Sequence, residues 1–118
     1  MQDKLWEGGG GTGNLPVIKL EIKDKEQLRD LLNKSVVAKD LVKFFLQNPY
    51  TRDTIDNLAN YIHRQPREVE EVIKDLLLLK VINNCGKLWG DPFWAKYTEF
   101  YSFTEDKEIQ KLLENFLH

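Results

Sequence analysis

The chain is short of several things at once. Cys85 is its one cysteine in 118 residues, so neither an internal disulfide nor a thiolate metal cluster can form, and nothing points to an oxidising compartment. No His or Cys spacing suggests a metal site. No apolar run approaches the length of a membrane span. Net charge is low as well: −2, with a pI of about 5.7, so no overall positive field steers the chain toward phosphate or anionic lipid. The N-terminal MQDKLWEGGGG has neither the basic start nor the apolar centre of a signal peptide. These absences predict a cytoplasmic protein that holds no metal or cofactor.

Catalytic pairings are scarce too. His63 falls in a turn and His118 is the last residue, and neither has a partner in the sequence. Cys85 lacks an evident activating base. Glu70 and Glu71 are adjacent on a helix and diverge, so they do not make a general acid/base pair. No catalytic residue is assigned, and the expectation is a protein that is not an enzyme.

What the chain does contain is one domain's worth of patterned sequence. Residues 1–15 read as a flexible glycine-rich arm. Gly8, Gly10 and Gly13 satisfy a GxGxxG spacing, but a dinucleotide loop needs a strand before the glycines and a helix opening at the last, and Leu15-Pro16 follows instead. Residues 16–118 read as a single folded unit. Ile18, Leu20 and Ile22 alternate with charged residues as in a half-buried strand. Asp24 with Gln27 can cap a short helix whose stripe is Leu28, Leu31 and Leu32. Ser35 can cap a second helix carrying Val37, Leu41, Phe44 and Phe45 on one face, which Asn48-Pro49 ends.

Asp53 is the expected cap of a helix from Thr54, with Ile55, Leu58, Ala59 and Ile62 inward. His63-Arg64-Gln65 forms a turn, and Pro66 suits the first position of the next helix, where Val69, Val72, Ile73 and Leu76 are the buried stripe. Strand-like pieces follow from Val81. At the strand end, Cys85 is expected simply to pack. Thr104 is the expected cap of a last helix with Ile109, Leu112, Leu113 and Phe116 on its apolar face.

The stretch DTIDNLANYIHRQPREVEEVIKDLLLLKVI, with Leu58-Ala59, Val69, Ile73, Leu76 and Val81-Ile82 at its key positions, and the later YSFTEDKEIQKLLENFL, with Tyr101 and Thr104, resemble the winged helix-turn-helix pattern of bacterial ArsR-, MarR- and PadR-like regulators. The resemblance covers roughly residues 35 to 117. It implies a mainly α fold with a small β-hairpin wing, here preceded by a short strand and helix and closed by a C-terminal helix. The helix-turn-helix would span about 54–80, the wing about 81–103 and the closing helix about 105–117. It further implies double-stranded DNA as partner, contacted by Arg52, Arg64, Gln65, Arg67 and Lys74, with Lys87 near the wing.

One feature opposes that implication. Glu68, Glu70 and Glu71 sit where DNA-reading members of these families commonly carry Ser, Thr, Arg, Asn or Gln. Carboxylates near phosphates oppose the counterion release that supplies most DNA affinity. They are equally explained as acids favoured at a helix N-terminus. A second reading therefore stands beside the first, in which the winged helix contacts protein and not DNA. Its surfaces would be Leu77 and Leu78 within the run Leu76–Leu79, Trp94 and Phe100 in the aromatic segment, and Leu113 and Phe116 on the last helix. The leucine run is either covered by the N-terminal elements of the same chain or shared with a second copy as a homodimer.

Overall fold

A computed structural model of the chain describes residues 22–87 and 99–117. Five helices and a three-stranded antiparallel sheet make up the described part, an arrangement compatible with a winged helix. No helix among the described residues is long and apolar enough to cross a membrane. The glycine-rich arm, most of the expected N-terminal strand, and Trp89, Trp94, Lys96 and Tyr97 lie outside those residues.

Helix α1 runs Ile22–Lys34 and α2 runs Val36–Gln47. Ile22 opens α1 where the alternation predicts strand, so Asp24 falls in the first turn and not at the cap. Ser35 separates the helices and caps α2 as expected: its Oγ accepts the Ala38 N–H at 3.0 Å. Strand β1, Arg52–Asp53, was not foreseen, because two residues carry no periodicity. Helix α3, Ile55–Ile62, is capped by Thr54 and not by Asp53. Asp53 instead collects three donors, the Thr54 N–H at 2.9 Å, the Asn57 amide at 2.6 Å and the Tyr61 hydroxyl at 2.7 Å. Burial draws its carboxyl upward, but these bonds together outweigh it and hold it below the ordinary 3.8. Tyr61 in turn is held above 10, first by its hydrogen bond to Asp53 and then by that residue's charge.

The turn after α3 closes without glycine. His63 adopts φ +59°, and the Arg64 N–H donates back to the Ala59 carbonyl at 2.9 Å. This six-to-one bond around a left-handed residue is a Schellman motif. Helix α4, Pro66–Leu78, ends the same way: Lys80 takes φ +65° and the Val81 N–H reaches the Leu76 carbonyl at 2.9 Å. Both ends of α4 are thus fixed in angle by local backbone bonds, which aims the helix.

Strand β2, Ile82–Lys87, and β3, Glu99–Phe103, complete the sheet in the order β1-β3-β2. Arg52 pairs Ser102 and Asp53 pairs Tyr101; on the other side Ile82 pairs Phe103, Asn84 pairs Tyr101 and Lys87 pairs Glu99. The register slips between Asn84 and Gly86, leaving Cys85 as the extra residue of a bulge. Gly86 takes φ +85° there, a conformation that suits glycine. Cys85 is consequently exposed and does not pack; its thiol lies 3.3 Å from the Ser102 hydroxyl.

Helix α5, Lys107–Phe116, is capped by Asp106, whose Oδ1 accepts the Glu108 N–H at 2.9 Å. The expected cap, Thr104, lies two residues earlier, is buried and bridges elements. Its N–H donates to the Val81 carbonyl at 2.9 Å, and its carbonyl accepts the Gln110 amide at 2.8 Å.

The core lies where the helical stripes meet the inner face of the sheet. Leu28 and Leu32 of α1, Leu41 and Phe45 of α2, Leu58 of α3, Ile73 and Leu76 of α4 and Leu113 of α5 are all at most 2% exposed. Phe45 stacks on Phe103 at 5.5 Å between ring centres, joining α2 to β3. In the leucine run, Leu76 and Leu79 are buried and Leu77 packs partly against the core, whereas Leu78 is 78% exposed. One subunit therefore covers most of that run by itself. Leu113 is fully buried inside the chain and so is not a surface for a partner, and Phe116 packs partly against the same core.

Candidate nucleic-acid interface

Helix α4 presents an inward face, an outward strip and two flanks. Val69, Val72, Ile73 and Leu76 face inward. At spacings of four, three and four, Arg67, Glu71, Lys74 and Leu78 form the strip directly opposite, all exposed. Between these, Glu68 and Asp75 occupy one flank and Glu70 and Leu77 the other.

The acids of this helix do not behave alike. Glu68 folds back on the helix entrance, where its Oε2 accepts the Gln65 N–H at 3.0 Å, satisfying a donor that helix geometry would otherwise leave unpaired. Glu70 is half-buried on the flank nearest the sheet, close enough for its charge to act on Tyr101 of β3. Burial pushes the Tyr101 phenol above its ordinary value, and the charges of Glu99 and Glu70 push it further. Glu99 also accepts the Asn84 amide at 2.7 Å and the Tyr101 hydroxyl at 3.5 Å. Glu71 alone of the three glutamates lies on the outward strip.

The basic residues divide as well. Arg64 donates to the Asp40 carboxylate on α2 at 2.9 Å, with the two side chains 31% and 34% exposed. This pair ties the turn before α4 to α2 across 24 residues of sequence. Gln65 and Arg67 are exposed at the entrance of α4, and Lys74 follows two turns on. Arg52 sits on β1 opposite Ser102, while Lys87 ends β2 opposite Glu99. Paired residues share a face and faces alternate along β3, so Arg52 and Lys87 leave opposite faces of the sheet. The six expected contact residues thus do not form one surface. Arg67 and Lys74 do share one helix, α4, and Gln65 is its N-cap residue.

Of the expected protein-contact residues, Leu78 is open to solvent, Leu77 and Phe100 are half-buried, and Trp94 lies outside the described residues. Sequence reading missed Asp40, whose pairing with Arg64 has no local signal, and Tyr61, whose bond to Asp53 spans one whole helix. It also missed Tyr50, which is 94% exposed in the loop before β1. Among the described residues no group of three His, Cys, Asp or Glu side chains could hold a metal ion. Compared with protein-family models, with curated proteins and with solved structures, the chain matches none.

Proposed function

We propose that the chain is a DNA-binding transcriptional regulator of the winged-helix type, acting in the cytoplasm and without catalytic chemistry of its own. The observation that carries this reading is the outward strip of α4. It exposes Arg67 and Lys74 with only Glu71 between them, while Glu68 and Glu70 are turned to the helix entrance and to the sheet. Supporting it is the element order, in which α3, a tight turn and α4 are followed by the β2–β3 hairpin, with β1 closing the sheet.

In this reading Gln65 and Arg67 meet base edges or phosphates at the start of α4. Lys74, and Lys87 on the hairpin, meet phosphates. Arg64 holds the turn through Asp40. Arg52, on the other face of the sheet from Lys87, is left out of the surface.

The test is fluorescence anisotropy of a labelled mixed-sequence duplex at low and at moderate salt. Binding that weakens steeply as salt rises supports the reading. No binding at low salt, where non-specific contacts are strongest, defeats it as a general DNA-binding function. A second reading, a winged helix that contacts protein, is favoured by one observation: Leu78 stands 78% exposed at the end of the same strip.

A further inference from the structure

The flank of α4 that carries Glu68 and Asp75 borders the outward strip, shares Arg67, Glu71 and Leu78 with it, and is shaped. Two clefts of about 390 and 370 Å³ meet along it and share Leu31 and Asp75. Together they form a groove between the outer side of α4 and the α1–α2 junction. Leu31, Val37, Val72 and Leu79 line its apolar part. Leu78 stands at one end, 78% exposed, and Val36, 59% exposed, adjoins the other.

The charges along the groove are unequal. Asp30, Glu68, Glu71 and Asp75 face two bases, Lys34 and Arg67, so two minus four leaves −2. Glu68 is engaged at the helix entrance. Among the described residues, Asp30, Glu71 and Asp75 have no ion-pair partner.

We propose that this groove docks a basic amphipathic helix from a partner protein. Charge complementarity selects the occupant. Nucleic acid would meet the acids directly. A second copy docking through the same face would bring the same excess of acid to the same contact, as a two-fold interface requires. A helix with an apolar stripe and lysine or arginine on its flanks satisfies both features, the stripe on Leu31, Val37, Val72 and Leu78 and the bases on Asp30, Glu71 and Asp75. This is helix-in-groove recognition, with anchors spaced at three and four residues. From Arg67 to Leu79 the flank rises about 18 Å, which matches a docked helix of three to four turns.

The test uses a labelled synthetic peptide of about 15 residues, a length that covers this rise, with leucine on one helical stripe and lysine elsewhere. A twin carrying glutamate for lysine serves as control. The full chain binds the lysine peptide and not the glutamate peptide. Leu78→Asp lowers that affinity tenfold or more, although it adds a negative charge that would strengthen adventitious attraction of lysines. The double variant Asp30→Asn/Asp75→Asn lowers it as well, with its circular dichroism unchanged and its affinity for duplex DNA not reduced. Equal binding of the two peptides, no binding of either, or lysine-peptide binding that survives Leu78→Asp overturns the proposal. So does a concentration-dependent dimer in sedimentation that Leu78→Asp dissolves, because the groove would then belong to a second copy.

Discussion

The inward and outward sides of α4 are made from the same thirteen residues and ask different things of them. Inward, Val69, Val72, Ile73 and Leu76 need only be apolar and correctly spaced, and each is at most 7% exposed. Outward, Arg67, Glu71, Lys74 and Leu78 face water. What that side offers a partner depends on where each charged side chain is aimed. Glu68 and Glu71 are three residues apart on one helix, yet Glu68 satisfies the helix's own backbone and Glu71 points to solvent. The sign of a helix surface is therefore set by its caps and flanks as much as by its composition.

The largest expected effect separates the two sides by stability. Leu76→Ala, at a fully buried position, should cost about 2–5 kcal/mol by urea denaturation. Leu78→Ala, two residues on, should change stability by less than about 0.5 kcal/mol. Similar costs for both would mean that Leu78 is covered in solution.

Next in size is Asp53, the acid that anchors the start of α3. Asp53→Asn turns an amide group toward hydrogen-bond donors and should cost about 1–2 kcal/mol near neutral pH. The pH dependence has a definite sign. Because folding holds the Asp53 carboxyl below 3.8, its contribution is fully present above that value and is lost as pH falls through the folded pKa. Tyr61, held above 10, acts in the opposite direction: its contribution is present below pH 10 and is lost as pH rises beyond it. The variant should lose less stability than the wild type on acidification below pH 3.8. Parallel acid limbs for the two proteins would remove Asp53 from this account.

Smaller still is the gain available at the turns that aim α4. His63→Gly and Lys80→Gly each relieve a left-handed conformation at an exposed residue. Each should raise stability by up to about 1 kcal/mol, since the left-handed region costs an ordinary residue roughly 1–2 kcal/mol and glycine loses more freedom on folding. Destabilisation at either position would show that the side chain contributes something the backbone geometry does not reveal.

These contrasts also mark how far the sequence could be read. The stripes of α2 to α5 were legible because burial follows helical spacing, and Pro66 and Ser35 announced their positions by local chemistry alone. The caps at Asp53 and Thr104 were misplaced by one or two residues, because neighbouring oxygen-bearing side chains, Thr54 and Asp106, can do the same job and only the tertiary partners choose between them. Asp53 is drawn aside by Tyr61, and Thr104 by Val81 and Gln110. The turns at His63 and Lys80 carried no glycine to signal them. Within the candidate interface, residue identities were readable but directions were not. Arg64 carries no sign in the sequence of its partner Asp40, which lies on another helix.

The most direct test of the outward strip is the duplex affinity of Glu71→Gln beside that of Arg67→Gln, measured by anisotropy at low salt. If the strip reads DNA, removing its one acid should tighten binding several-fold, and removing Arg67 should weaken it and flatten the salt dependence. If both variants bind as the wild type does, the outward strip of α4 does not touch DNA.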